Sequence, residues 1–267
     1  MNLRSHIFKA ALKNNLYIKG TASSKDVRDF ICRFNENYEA VDLTRVGGES
    51  DGGYLVPDIF KDMTYCFSPG VDDKAYFESE LADKYGIKSY MADASVSSSP
   101  IENKNFNFSK KFIGNRTKGD FITLGDWVSQ SVGVAEDNMI LQMDIEGSEY
   151  DVLIFESEEL LSRFPVMIIE FHFLQNIFES QFLSTITSIF EKIYKTFCIC
   201  HVHPNNSNDI ENLDGIEVPR IIEVTFLKRS FLEKVRRMDS VELPHKLDRK
   251  NVKSLPDIKM PEMWWKS

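Results

Sequence analysis

Met139-Ile-Leu-Gln-Met-Asp-Ile-Glu-Gly-Ser-Glu-Tyr150 decides how the whole chain reads. An apolar run of strand length gives way to Asp144, Glu146 and Gly147 and then to a helix-forming segment, which predicts strand, sharp turn, helix. A junction of this kind puts polar side chains at the carboxyl edge of a sheet. Ligands of open α/β folds bind in the crevice at that edge, so Asp144 and Glu146 become candidates for chemistry.

Working outward, the same pattern recurs. Pro165-Val-Met-Ile-Ile-Glu-Phe-His-Phe173 reads as a central parallel strand buried on both faces, with Glu170 and His172 alternating onto one side. Thr196-Phe-Cys-Ile-Cys-His-Val-His203 is another strand, ending in His201, His203 and Asn205. Tyr150 to Leu161 reads as the helix returning from the opening stretch, and Ile177 to Tyr194 as a long amphipathic helix. Pro219 to Leu227, rich in β-branched residues, reads as a last strand, followed by a charged, proline-bearing tail ending in Trp264-Trp265. Taken singly, each histidine is more often a hydrogen-bonded structural residue than a base, and Glu146 and Glu149 equally suit the positive end of a helix dipole. Repetition after successive apolar runs favours a site.

Upstream, Thr64 to Val71 reads as a short strand ending in Ser68-Pro69-Gly70. An acidic helix follows, with Phe77, Leu81 and Tyr85 on one face and Gly86 as its C-cap, and then Ile87 to Asp93 as a second strand. Asp93 falls a little over twenty residues past Gly70, the spacing by which a nucleotide-binding half-fold holds a ribose diol with a carboxylate. An ordinary βαβ unit has the same pattern. Ahead of it, Arg45-Val-Gly-Gly-Glu-Ser-Asp-Gly-Gly-Tyr-Leu-Val-Pro57 reads as a hairpin turning at Asp51-Gly52. Ala94 to Asn107 reads as a loop, Phe108 to Ile113 as a third strand, and Thr123 as the N-cap of the next helix.

The 267 residues carry 42% hydrophobic side chains and a formal net charge of -9, enough for a sizeable core and unsuited to a partner bound through its phosphates. No nucleic acid and no membrane insertion are expected. No run approaches the roughly 18 to 20 apolar residues of a spanning helix, and the N-terminus lacks a secretory apolar block, so a soluble cytoplasmic protein is expected. Cys32, Cys66, Cys198 and Cys200 lack zinc-site spacing and disulfide density and read as reduced packing residues. With strands and helices alternating, the reading is α/β, a single mostly parallel sheet with helices on both faces. It divides into an N-terminal helical extension over 1–44, the sheet domain over 45–230 and a C-terminal wrap of that domain over 231–267.

Leu141-Gln-Met-Asp-Ile-Glu-Gly-Ser-Glu-Tyr-Asp-Val-Leu153 resembles the K-x-D-x-E-G-x-E-x-x-V-L signature of FkbM-type, S-adenosylmethionine-dependent methyltransferases, with Gln142 where the family often has lysine. Arg45 to Tyr54, Phe77-Glu78, Asp93, Thr123-Leu124 and Glu223-Val-Thr-Phe226 follow in the family's order. The resemblance implies a Rossmann-like class I methyltransferase fold of seven strands, one of them antiparallel at Ile221 to Leu227. It implies S-adenosylmethionine near Gly70, with Asp93 on the ribose, the 115–124 segment including Thr123 near adenine, and Asp51, Gly53 and Tyr54 closing over cofactor or acceptor. Its context suggests a sugar hydroxyl as acceptor, on a nucleotide-activated sugar or a saccharide for a bacterial capsule or lipopolysaccharide. Methyl transfer to such an oxygen needs a base or a metal. His172 is the first candidate for the base and His203 the second, with Asp144 or Glu146 orienting the acceptor. A divalent metal on Asp144, Glu170 and His172 is the other route. A nicotinamide-dependent oxidoreductase and a non-catalytic nucleotide- or sugar-binding module are the rival readings. Phe173, Phe178 and the tail tryptophans read as core before they read as an acceptor pocket.

Overall fold

The computed structural model describes residues 3–15 and 19–266. The expected helical lead-in is present as α1 (Leu3–Lys13) and α2 (Ser24–Glu36). What that expectation says of residues 1–2 and 16–18, and what the tail expectation says of residue 267, lies outside the described residues. Ser23 caps α2 by accepting a hydrogen bond from the Asp26 N–H, and Val27, Phe30, Ile31 and Phe34 recur at helical spacing on its buried face.

The main sheet contains β1 (Tyr65–Pro69), β2 (Lys88–Ala92), β3 (Phe106–Ser109), β4 (Met139–Met143), β5 (Val166–Phe171), β6 (Phe197–Pro204) and β7 (Ile222–Lys228). Their order across the sheet is β6-β7-β5-β4-β1-β2-β3. The pairs β1–β2, β1–β4, β2–β3 and β4–β5 are parallel, whereas β7 runs antiparallel to both β5 and β6. This is the α/β fold with a seven-stranded, mostly parallel sheet that was expected, and the reversed strand is the expected one. All residues of β4 and β5 are buried, as a parallel strand covered on both faces requires.

The helices between strands are α3 (Tyr76–Tyr85), α4 (Leu124–Val132), α5 (Glu149–Phe155), α6 (Glu158–Leu161) and α7 (Ser180–Tyr194). α5 and α6 replace the single return helix expected over Tyr150 to Leu161. Glu156 is extended and Ser157 caps a new helix through the Leu160 N–H, so the first cannot continue. The third strand also differs. β3 stops at Ser109, whose carbonyl accepts the Lys111 N–H, and Phe112–Gly114 becomes a separate strand paired with Phe121–Thr123. Cys32 is exposed rather than packed, while the other three cysteines are buried, and all four are free thiols.

Two additions complete the body. The expected hairpin forms from Thr44–Gly47 and Gly53–Val56 and lies on one face of the sheet, where Tyr54 Oη accepts from Gln142 of β4 and the Leu55 carbonyl from Thr225 of β7. The tail runs irregularly until Trp264, which is fully buried against Phe30 and Phe34 of α2. No helix among the described residues is long and apolar enough to cross a membrane.

Candidate active site

The turn after β4 is built by one buried carboxylate. Glu149, wholly inaccessible at the start of α5, accepts the N–H groups of Ile145 and Gly147 at 3.1 Å each and receives His172 Nδ1 at 3.0 Å, all on one oxygen. These bonds hold Glu146 in a left-handed conformation with φ 54° and Gly147 at φ 100°. A Cβ at Gly147 would stand 2.7 Å from the Phe173 ring, so a side chain there would require that exposed ring to move. Gly70 at the end of β1 is fixed by an even closer approach, its would-be Cβ falling 1.5 Å from the Asp144 carbonyl oxygen. The ends of β1 and β4 therefore meet backbone to backbone.

A cavity of about 500 Å³ opens over this meeting point, within the range of small-molecule sites. The Gly70 turn and the ends of β2 and β4 form its floor, Asp51, Gly52 and Tyr54 of the hairpin form one side, and Phe112, Ile113 and Phe121 form an apolar wall. The lining is strongly acidic, with Asp51, Asp72, Asp73, Glu78, Asp93, Asp144 and Glu146 against a single lysine, Lys74. Lys74 pairs with Asp51 at 2.7 Å and so ties the hairpin loop to the start of α3. Asp93 braces its surroundings, accepting the Asp72 N–H on one oxygen and the N–H and hydroxyl of Ser95 on the other.

Asp144 enters the cavity with one buried oxygen that has no hydrogen-bond partner. Burial raises its carboxyl to about 7, helped by repulsion from Glu146 and Glu149 and opposed by the adjacent His172. His172 Nε2 lies 3.7 Å from Asp144 and 3.4 Å from Glu146. Burial would depress this imidazole, but the bond to Glu149 and the neighbouring carboxylates outweigh it and hold the group above its usual value. Tyr150 Oη donates to the His172 carbonyl at 2.7 Å and fixes the backbone there. His172 is buried behind Asp144 and is not part of the cavity wall.

The strand ends at Phe171 and Phe173 turns left-handed; His172 meets Glu149, whereas Glu170 meets Asn205 and lies with Asp51 and Glu223. The three groups Asp144, Glu170 and His172 are thus divided between two clusters, with Glu149 standing where Glu170 was expected. In the second cluster burial raises Glu170 well above the ordinary carboxylate range and Glu223 to about 7, the latter held back by His203 and Asn251.

The other residues read from the sequence are distributed as follows. Gly70, Asp93, Asp51 and Tyr54 reach the cavity. Gly53 sits against Gly48 inside the hairpin, and Thr123 caps α4 by accepting the Asp126 N–H, so neither joins the wall. Within the 115–124 segment it is Phe121 that reaches the cavity, beside Phe112. His203 lies two strands beyond β5, buried under the tail next to Asp248. The sequence gives no site role to Glu78, a buried carboxyl raised by burial and eased by Ser68, and only a dipole role to Glu149. The E-G-x-E spacing carried the signal for Glu149, since the second acid is two residues from the glycine whose N–H it accepts.

Residues 72–203 match the model of the methyltransferase FkbM domain. None of the curated proteins matches the chain. Among solved structures, a precorrin-6y C5,15-methyltransferase from Geobacter metallireducens is 10% identical with a TM-score of 0.35, over 79% of this chain and 95% of that one. A 16S rRNA (adenine(1408)-N(1))-methyltransferase mutant from Catenulisporales acidiphilia is 12% identical with a TM-score of 0.32, over 70% and 98%. A protein named as a candidate hemolysin from Lactococcus lactis is 11% identical with a TM-score of 0.36, over 64% and 80%. Likenesses of this size carry no argument about substrate.

Proposed function

We propose that the chain, matched over 72–203 by the methyltransferase FkbM domain, is an S-adenosylmethionine-dependent O-methyltransferase acting on a sugar hydroxyl, on a saccharide or nucleotide-activated sugar for a bacterial surface polysaccharide. The observation that carries the reading is Asp144, a carboxyl raised to about 7 and aimed into the cavity just beyond the Gly70 turn. A sulfonium cofactor carries positive charge, and the acidic lining complements it. In this reading Phe112 and Phe121 would hold the adenine, Asp93 the ribose and the Gly70 turn the methionine part, and the cofactor would supply an electrophilic methyl group.

Methyl transfer breaks the S–CH₃ bond as the acceptor oxygen forms its own, while the hydroxyl proton leaves to a base. Asp144 would take that proton, and His172 behind it, held by Glu149, would keep the carboxyl in place. Positioning of donor and acceptor can supply roughly 7 to 11 kcal/mol of barrier lowering, and the base about 10² to 10⁴ in rate. Asp144, Glu149 and His172 also present a donor set that could take a divalent ion, which would lower the hydroxyl's pKa.

The test is incubation with S-adenosylmethionine and a panel of saccharides and nucleotide sugars, read by mass spectrometry. An acceptor heavier by one methylene unit, together with S-adenosylhomocysteine, is the expected result. Turnover of a reduced nicotinamide would replace it with the oxidoreductase reading, and ligand binding without product would replace it with a binding module.

A further inference from the structure

We infer that His201, His203 and Asp248 form a binding site for a borderline divalent metal ion, Zn²⁺ above all, which pins the C-terminal tail to the sheet. The site is separate from the cavity, none of whose lining residues belongs to it.

The strand itself is bent to present these rings. Cys198 pairs with Leu227, His201 with Thr225 and His203 with Glu223, and the register shifts between Ile199 and His201. Leu227, Thr225 and Glu223 alternate along β7 and share a face, so the bulge moves both histidines onto the face of Cys198. Plain alternation from Cys198 would have sent them to the opposite one. β-bulges re-aim side chains in this manner next to functional sites.

The tail supplies the third group. His201 Nε2 lies 2.9 Å and His203 Nδ1 3.7 Å from the same Asp248 oxygen, and one atom from each of the three residues falls within 4.8 Å of the others. Ligands of a tetrahedral zinc at about 2.1 Å stand roughly 3.4 Å apart, between the two observed separations. The other Asp248 oxygen accepts the His245 N–H at 2.7 Å, which orients the carboxylate as an outer partner should.

Hydrogen bonding within the cluster leaves it incomplete. Both nitrogens of His203 and Nδ1 of His201 are buried with no hydrogen-bond partner, although His203 is 6% exposed and His201 3%. An unsatisfied buried polar atom costs about 1 to 3 kcal/mol; an ion held by His201 Nε2, His203 Nδ1 and Asp248 would satisfy His203 Nδ1, the one orphaned nitrogen that faces Asp248. Neutral imidazoles and a carboxylate suit zinc and its neighbours better than magnesium or calcium.

The experiment is titration of the metal-free full chain with Co²⁺, followed by visible absorption, and competition with Zn²⁺. This site should take one equivalent with the intense band of a four-coordinate ion, whatever binds at Asp144, Glu149 and His172, and release it to Zn²⁺. His203→Ala should weaken binding by about 100-fold or more, while His172→Ala leaves it unchanged. Imidazole ¹⁵N shifts of the wild-type protein give a readout that needs no variant, and Zn²⁺ should move the resonances of His201 and His203. Absence of stoichiometric uptake at about 10 μM metal, far above the range of built zinc sites, overturns the proposal. So does equal affinity in His203→Ala, or a shift confined to His172.

Discussion

His172 and His203 are both strand-end histidines beside a carboxylate, yet they stand in opposite situations. His172 is bonded through Nδ1 to Glu149 and its other nitrogen points to Asp144, which reaches the cavity. His203 has no hydrogen-bond partner and is sealed beneath the tail that delivers Asp248. The difference lies in what covers each strand end. A short turn to α5 leaves the edge beyond β4 and β5 open, whereas the wrap closes the edge beyond β6. Nearness to a strand's carboxyl end brings a residue to the right latitude of the fold, and the covering segment decides whether a substrate can meet it.

The sharpest test of this contrast is Asp144→Asn. Turnover should fall by about 10² to 10⁴ with S-adenosylmethionine affinity within a few-fold of wild type, the signature of a lost base. Retained turnover would leave the open cluster without its catalytic group. Gly70→Ala strikes the backbone contact beneath Asp144. A Cβ 1.5 Å from the Asp144 carbonyl at φ 84° should destabilise the protein by about 3 to 5 kcal/mol in denaturant unfolding. A loss under about 1 kcal/mol would mean that the two strand ends separate freely.

Paired substitutions then compare the histidines directly. His172→Ala should lower turnover about a hundredfold, and His203→Ala should change it by less than about threefold, because only the first supports the group in the cavity. Equal losses would erase the distinction. The smallest effect concerns pH. Asp144, raised to about 7 in the folded state, contributes stability that is fully present below its ordinary value of 3.8 and is lost as pH rises through 7. Glu170 and His172 are also raised, so both act in the same direction. The ligand-free protein should accordingly melt higher at pH 5 than at pH 8, and Asp144→Asn should flatten the dependence. A melting temperature that rises from pH 5 to 8 would contradict the burial of these groups.

Much of the fold was legible because apolar runs and their terminators are local. The β4 turn, the Gly86 C-cap, the Thr123 cap and the Asp51-Gly52 hairpin all follow from a few adjacent residues. The errors arose where a local bond interrupted a pattern that otherwise continued. Ser157 recaps a helix whose apolar periodicity runs on, and the Lys111 N–H bond to Ser109 ends a strand that composition would extend. The site was legible as an edge but not as a constellation. Glu170 and His172 sit two residues apart yet fall in different side-chain clusters, and the bulge before His201 reverses the faces that alternation assigns. Nor does any local pattern show that Asp248 returns to His201 from 47 residues away.

Trp264 has a consequence for how the chain is made. Its indole is packed against Phe30 and Phe34 and donates to the Glu217 carbonyl at 2.9 Å, so residue 264 completes a core that α2 begins. During vectorial synthesis Phe190 of α7 can cover part of the apolar face of α2, but the part that meets Trp264 stays open until residue 264 has cleared the ribosomal tunnel. Nascent chains arrested before that point should expose this face to chaperones, and acquire protease resistance only once the tryptophan is free to dock.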